Sequence, residues 1–450
     1  MAGIFKSYDI RGVVPTQLTT GDAYKIGKAA AAVLKAKAIA VGRDARIHSP
    51  DLAAALMDGI ASAGATALDL GMGPTPVTYF AAGSLGAKKV QGAIQVTASH
   101  NPAEYNGFKF TRGNALPMSY DSGLDEVERL TLIDQPGLAK RAGKIQKLDL
   151  RKGYVAHCRR FARLNPKRRL KIAIDTGNGV MGAWLPDLLR GLPLKVFPLY
   201  WKPDGRFPNH EANPLKEENL RDLQAAVKKH GCDLGAAFDG DGDRVAFVDE
   251  TGTSVPGDIA GALMAQALLG TESGATVIYD VRATRALPEA IRAAGGRAVE
   301  TRVGHSHIKA GLRREKALMA AELSGHYYFR DFFCSDSGET ALFLVLNLVS
   351  QSTLPLSKLV APLKRYHHTG EINFHVSDAN KALAAAEKVF GPRAARIARA
   401  DGLTFDCGTW WFNVRLSNTE PVVRLNLEST VSQDEMEARR DEVADALKNS

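Results

Sequence analysis

Residues 92–102 read Gly92-Ala-Ile-Gln-Val-Thr-Ala-Ser99-His100-Asn101-Pro102. A short, largely apolar run, Gly92 to Val96, ends in a hydroxyl, an imidazole, an amide and a proline. That pattern predicts a buried strand running into a polar loop. The same plan occurs three times along the chain. Ala38–Val41, Leu170–Ile174 and Ala275–Tyr279 each open a region as a short β-prone run ending in a polar turn: GRD, DTGNG and DVR. An alanine- or leucine-rich stretch of helical length follows each. Second strands are predicted at Thr66–Leu70, Leu194–Phe197 and Arg297–Glu300, and third strands at Gly92–Val96, Asp233–Phe238 and Ala317–Ala321. Strands alternating with helices imply βαβ units and mixed or parallel sheets covered by helices. In such sheets ligands bind beyond the carboxyl ends of the strands. The three third strands end in TASHNP, DGDGDR and ELSGH, the least core-like loops of their regions.

From about Tyr366 the pattern changes. Strand-like runs at Gly370–Val376, Trp410–Leu416 and Val422–Leu427, an alanine-rich helix and a charged helix from about Ser432 predict a smaller α+β domain. The expected fold is therefore three related α/β domains with mixed parallel sheets plus a smaller C-terminal α+β domain. The expected boundaries are 1–145 (the loop with Ser99), 146–250 (the DGDGDR loop), 251–365 (the ELSGH loop) and 366–450.

At 450 residues the chain is long enough for several domains, and 45% hydrophobic with 24% charged residues suits sizeable cores. No apolar run approaches the ~20 residues of a membrane span, and the N-terminus lacks the pattern of a secretory signal. Cys158, Cys232, Cys334 and Cys407 are far apart and form no CxxC pair. Reduced thiols and a cytoplasmic location are expected. The net charge of +9 suits nucleic acid, an anionic surface or small phosphorylated substrates. Its densest stretch, Arg151 to Lys171, carries nine Lys or Arg and no acid. Tyr154, Cys158, Phe161 and Leu164 fall at helical spacing within it and predict an amphipathic helix with a solvated basic face. A nucleic-acid patch there lacks aromatic interleaving or a recognisable module.

Three carboxylates alternate with glycines in Asp239-Gly-Asp241-Gly-Asp243-Arg244. Glycine permits a turn tight enough for the carboxylates to converge, and three converging oxygens with positions left over suit Mg²⁺. An EF-hand loop fails because Arg244 stands where that loop needs glycine and a strand-like run, Val245–Val248, follows. In TASHNP, Ser99 is either a turn former or a phosphoryl carrier. A hydrolase nucleophile is disfavoured without a G-x-S-x-G elbow. A carrier needs a cation to offset charge, which the three aspartates can hold, and Lys109 in Asn106-Gly-Phe-Lys109 can stabilise charge or move a proton. Glu322, Ser324 and His326 suit hydrogen bonds to sugar hydroxyls or, equally, the capping of a following turn. Arg415, Ser417, Asn418 and Thr419 suit a phosphate clamp, with helix or turn capping by Ser417 and Thr419 the lesser alternative. Arg11 in YDIRG and His305 in GHSH are further candidates.

Taken together, YDIRG (8–12), TASHNP (97–102), NGFK (106–109), DGDGDR (239–244), GHSHIK (304–309), ELSGH (322–326) and RLSNTEP (415–421) resemble the α-D-phosphohexomutase family, in its order and across nearly the whole chain. The resemblance implies four domains around one central cleft and an interconversion of hexose 1-phosphate and hexose 6-phosphate. It implies that Ser99 is the phosphoserine and that Asp239, Asp241 and Asp243 bind Mg²⁺ with a phosphoserine oxygen. Arg11, His100, Lys109 and Arg244 would support phosphoryl and proton transfer. Tyr8, His305, Glu322, Ser324 and His326 would contact substrate, and Arg415, Ser417, Asn418 and Thr419 would clamp the non-reacting phosphate. A hexose 1,6-bisphosphate is the implied intermediate and activator. The implied partners are small sugar phosphates, with neither nucleic acid nor membrane, and the expected state is monomer or weak dimer.

Leu323 in the sugar loop is closer to the Met of the family's mannose/glucose members than to the Gln of its glucosamine members. SNTEP also resembles the mannose/glucose group, so phosphoglucomutase/phosphomannomutase activity is favoured over phosphoglucosamine mutase. Ala321 and Leu323 depart from the usual pattern, and Arg282 stands where many relatives have Lys. The rivals from other classes are a metal-dependent phosphatase and a basic nucleic-acid-binding protein.

Overall fold

A computed structural model of the chain describes residues 3–135, 137–376, 378–416 and 422–448. The chain divides into two compact units. One comprises Met1–Gly257 with Ser324–Leu359, the other Asp258–Leu323 with Val360–Ser450.

In the first unit, one sheet runs in the order Ile10–Val13, Tyr105–Arg112, Gly92–Val96, Ala38–Arg43, Thr66–Met72, Ile145–Lys147. Ala38–Arg43 pairs in parallel with both Gly92–Val96 and Thr66–Met72, as the βαβ reading requires. Tyr105–Arg112 returns antiparallel to Gly92–Val96, and Ile10–Val13 is antiparallel to it in turn. Arg11 lies opposite Gly107, and Lys109 lies opposite Gln95. Side chains alternate along a strand, so this register puts Arg11 and Lys109 on one face of the sheet. The alanine-rich helices Thr20–Val33 and Ser49–Ser62 cover the sheet, the first opened by a Thr19/Asp22 capping box. They cross backbone to backbone: a Cβ on Gly27 would stand 2.2 Å from the Leu56 carbonyl oxygen. Ile26, Ile39, Val41, Leu56, Ile60, Ile94 and Phe108 fill the core. Each contributes ~1.5–3 kcal/mol relative to exposure.

The second sheet of this unit has the order Ser254–Val255, Val245–Asp249, Leu234–Phe238, Leu170–Asp175, Leu194–Leu199. Its centre is parallel, and Val245–Asp249 is antiparallel. The hairpin Tyr327–Phe329 with Ser335–Asp336 and the helix Gly338–Gln351 complete the unit.

The basic stretch from Arg151 corrects one expectation. Its helix is only Arg151–Arg159, with Tyr154 and Cys158 buried, and Phe161 and Leu164 lie beyond it. The spacing continues, but the backbone bonds do not. The Asn347 side chain accepts from the Arg163 N–H (2.6 Å) and donates to the Phe161 carbonyl (2.7 Å), in place of helical partners. Nor is the basic face simply solvated. Arg151 pairs with Asp187 at 2.7 Å, and Arg168 donates to the carbonyls of Val349 and Ser352.

In the second unit, Thr276–Asp280 pairs in parallel with Arg297–Thr301 and with Met319–Ala321, the last shorter than the predicted 317–321. The C-terminal sheet is antiparallel, ordered His367–His375, Val422–Ser429, Trp410–Leu416, Leu403–Asp406, Arg396–Ala398. Its last two strands fall where no strand was predicted. Helices Ala379–Phe390 and Gln433–Lys448 pack on it over Phe390, Phe405, Trp410 and Phe412, the Phe405 and Phe412 rings stacked at 4.6 Å. Among the described residues no single helix is long and apolar enough to cross a membrane.

Candidate active site

The polar loops that follow Gly92–Val96 and Leu234–Phe238 meet at Ser99. This serine is fully buried, with φ of +53°. A non-glycine residue in the left-handed region is strained by ~1–3 kcal/mol and persists only where its surroundings hold it. Its N–H donates to Thr97 Oγ1 at 2.9 Å. Its Oγ donates to Asp239 Oδ2 at 2.9 Å and lies 3.2 Å from His100 Nδ1. Burial, reinforced by the charges of Arg244, Arg11 and Lys109, holds the His100 pKa well below its ordinary value. The imidazole is therefore neutral, with one ring nitrogen left as a hydrogen-bond acceptor.

The glycines of the DGDGDR loop have separate reasons. A Cβ on Gly240 would stand 2.6 Å from the Ser99 carbonyl oxygen, so only glycine allows the two loops this approach. Gly242 has φ of +74°, which turns the chain between the second and third carboxylates. Ligand atoms of Asp239, Asp241 and Asp243 lie within 4.8 Å of one another, all buried. Asp241 Oδ2 accepts from Thr75 Oγ1 (2.6 Å) and from Lys109 Nζ (2.8 Å). Asp243 Oδ2 accepts from Lys109 Nζ at 2.5 Å. Oδ1 of both aspartates is buried and makes no hydrogen bond among the described residues, although His326 Nε2 lies 3.4 Å from that of Asp243. Orphaned, converging carboxylate oxygens are the donor set of a hard divalent cation.

Burial and the repulsion of Asp243 and Asp241 push the Asp239 pKa well up. Asp243 goes the other way: burial opposes its charge, but Lys109, His326 and Arg244 outweigh it. For Lys109, burial works against the charge, yet Asp241 and Asp243 raise the pKa above the ordinary lysine value. Arg11 binds Asp9 at 2.8 Å and donates to the Asn101 side chain, while Tyr8 lies in the bend just before its strand. Arg244 donates from Nε to His326 Nε2 at 3.1 Å, and Nε2 lies 3.4 Å from Asp243 Oδ1. Ser324 Oγ is 3.1 Å from His326 Nδ1.

The ELSGH stretch, read as one sugar loop, is divided between the two units. Ser324 and His326 belong with the aspartates, whereas Glu322 belongs to the second unit. There Glu322 is buried, 3.5 Å from Arg282 and 3.4 Å from the Gly304 N–H that precedes the helix His305–Arg314. Arg282 also binds Asp280 at 2.8 Å. Arg415 is buried and paired with Glu371, which also faces Arg424 at 3.3 Å and Arg282 at 3.5 Å. Arg415 Nε has no hydrogen-bond partner among the described residues. Ser417, Asn418 and Thr419 lie outside the described residues.

Four side chains here were not singled out from sequence: Asp44, Arg46, Thr75 and Glu371. Thr75 begins a helix and Glu371 sits in a strand, positions where polar residues are ordinary. Asp44 and Arg46 follow a strand in GRDAR, and a charged pair at a turn carries no sign that it is buried.

Four family domain profiles match in order. They are described as phosphoglucomutase/phosphomannomutase alpha/beta/alpha domain I (residues 2–133), domain II (152–252), domain III (256–366) and the C-terminal domain (371–446). A phosphomannomutase of Salmonella montevideo is 40% identical over 451 residues, covering 98% of each chain. A protein named phosphohexose mutases from Xanthomonas campestris pv. campestris (strain B100) is 38% identical over 445 residues, covering 99% of each. The crystal structure of a phosphoglucomutase/phosphomannomutase family protein from Burkholderia thailandensis superposes with a TM-score of 0.91 at 34% identity, covering 99% of this chain and 97% of that one. The chain belongs to the phosphoglucomutase/phosphomannomutase family and is a phosphohexomutase, an isomerase that moves a phosphoryl group within a sugar phosphate.

Proposed function

We propose that this phosphohexomutase interconverts the 1- and 6-phosphates of glucose and mannose through phosphorylated Ser99, with a hexose 1,6-bisphosphate as intermediate and activator. The observation that carries the reading is the placement of Ser99 Oγ, buried 2.9 Å from Asp239 in a cluster of three carboxylates and a lysine. The names of its relatives, phosphomannomutase and phosphoglucomutase/phosphomannomutase family protein, support the choice of sugars.

In the forward half-reaction the bond between phosphorus and Ser99 Oγ breaks as phosphorus bonds to the free sugar hydroxyl. The hydroxyl proton ends on Oγ, and neutral His100 is placed to carry it. The second half-reaction runs this in reverse from the other phosphate. Asp239, Asp241, Asp243 and a phosphoserine oxygen would hold Mg²⁺, which supplies charge that offsets the phosphoryl oxygens. Lys109, Arg11 and Arg244 add fixed positive charge around the same oxygen. Tyr8, His305, Glu322, Ser324 and His326 read the sugar. Arg415, with Ser417, Asn418 and Thr419, holds the phosphate that is not reacting. Four cysteines outside any disulfide, two of them buried, suit the proposed cytoplasmic location. A monomer or weak dimer is the proposed state, checked by sedimentation.

Intact-mass spectrometry of the purified protein tests the chemistry. The expected result is a phosphoryl adduct that excess sugar monophosphate removes and that Ser99→Ala lacks. Phosphate release without isomerisation would replace the mutase by a phosphatase. Parallel assays with glucose, mannose and glucosamine 1-phosphates decide the sugar, and fastest turnover of the glucosamine ester would overturn the choice made here.

A further inference from the structure

Arg46 is the most deeply committed cation among the described residues of the first unit. Its side chain is fully buried, a costly place for a guanidinium. It has five N–H donors, and every one is used. Nη1 donates to the carbonyls of Pro102 (2.6 Å) and Tyr105 (3.0 Å). Nη2 donates to those of Ser99 (2.9 Å) and Asn101 (2.6 Å). Nε donates to Asp44 Oδ2 at 3.2 Å. Four of the five bonds thus end on the backbone of one loop, the loop that holds Ser99 in its strained conformation.

A second line of bonds reaches the same residue. Asp44 accepts from Ser49 Oγ (2.6 Å) and from Thr97 Oγ1 (2.7 Å), and Thr97 Oγ1 accepts from the Ser99 N–H. The serine peptide is therefore held at both its N–H and its C=O by groups traced to Asp44 and Arg46. The guanidinium also lies 5.1 Å from the Phe207 ring, and a Cβ on Gly205 would stand 2.4 Å from the Arg46 Cα. The 204–207 segment thus packs directly against Arg46. No hydrogen bond of Arg46 reaches an aspartate of the triad or Lys109, so it does not act there by direct contact.

We infer that Arg46 is a positioning residue for phosphoryl transfer: it locks the Ser99 backbone in the left-handed turn that keeps Oγ against Asp239. This rests on the reading of Ser99 as the phosphoryl carrier. A single flexible ammonium cannot make four divergent bonds to carbonyls, so lysine keeps the charge and loses the lock. The test compares Arg46→Lys, Thr97→Val, Thr97→Ser and Ser99→Ala with the unaltered protein. It measures kcat, KM for glucose 1-phosphate, and Ser99 phosphorylation by glucose 1,6-bisphosphate followed by intact mass.

The expected result for Arg46→Lys is a kcat and a phosphorylation rate each reduced at least thirtyfold, with KM within about threefold, because the phosphate clamp is untouched. Thr97→Val should follow in the same direction, and Thr97→Ser, which restores the hydroxyl, should recover most of the rate. If Arg46→Lys folds and retains more than a third of the normal kcat, or loses only KM, the inference is overturned. If it does not fold, Thr97→Val decides: kcat within twofold of normal overturns the inference, and a selective loss rescued by Thr97→Ser sustains it. Ser99→Ala separates the two levels. An active Ser99→Ala refutes the carrier reading itself, whereas an inactive Ser99→Ala beside an active Arg46→Lys refutes only the positioning role.

Discussion

Replacing Gly240 by alanine tests whether the close approach of two loops sets the turnover rate. The added methyl would lie 2.6 Å from the Ser99 carbonyl oxygen. That is about 0.8 Å short of ordinary contact; the oxygen is backbone and a Cβ has no torsion of its own to turn away, so no side chain can swing aside. The loops must part by most of that distance. Overpacking of this kind costs about 1–3 kcal/mol, and a ~1 Å misplacement of reacting groups costs on the order of 10²-fold in rate. The expected result is a lowered thermal midpoint and a kcat reduced roughly a hundredfold, with KM for the sugar phosphate little changed, because Arg415 is not disturbed. Steady-state kinetics and thermal denaturation measure both quantities. Gly137→Ala is the control: its Cβ would meet nothing within 4 Å, and neither quantity should move. A Gly240→Ala protein with kcat within threefold of normal would show that the apposition of Ser99 and Asp239 does not limit the rate.

Asp241→Ala should reduce turnover on the order of 10³-fold or more at saturating Mg²⁺ while leaving circular dichroism unchanged, since it removes a converging carboxylate; near-normal activity would remove Asp241 from the cation site. Arg415→Ala should raise KM roughly tenfold or more, the scale of one charge-assisted hydrogen bond; unchanged KM and kcat would take it out of the phosphate clamp. Glu339, buried beside Tyr154, has its pKa pushed up to about 8 by burial, so the folded protein holds a proton that the unfolded chain releases near pH 4.5. Stability from this group is complete below about pH 4.5, falls by up to ~1.4 kcal/mol per pH unit between there and pH 8, and levels off above. Glu339→Gln should remove that slope; urea denaturation at pH 5.5, 6.5 and 7.5 would refute the assignment if both proteins change in parallel.

The strands that carry the site were legible because each is a short apolar run with an abrupt polar end. Gly92–Val96 and Leu234–Phe238 fall where the pattern places them, and the glycine-spaced aspartates announce a converging cluster before any fold is known. What could not be read is what depends on partners far away in sequence. The helix after Arg151 keeps its apolar spacing past Arg159, but Asn347, almost two hundred positions on, takes over its backbone bonds. Arg46 looks like a surface charge until Ser99, Asn101, Pro102 and Tyr105 turn their carbonyls toward it. Glu371 is one acid in a strand until three arginines gather around it. ELSGH reads as a single loop, yet the fold assigns its glutamate and its histidine to different compact units.

If Ser99 is the phosphoryl carrier proposed here, its left-handed turn sets durability and turnover against each other at one residue. Glycine adopts that conformation without a steric penalty, so Ser99→Gly relaxes the backbone while deleting the oxygen proposed to carry the phosphoryl group. A thermal-stability screen blind to activity would reward relaxed variants of this loop. Engineering of this enzyme for heat resistance therefore has to start elsewhere, in the helices and sheet edges, and leave residues 97–102 as they are.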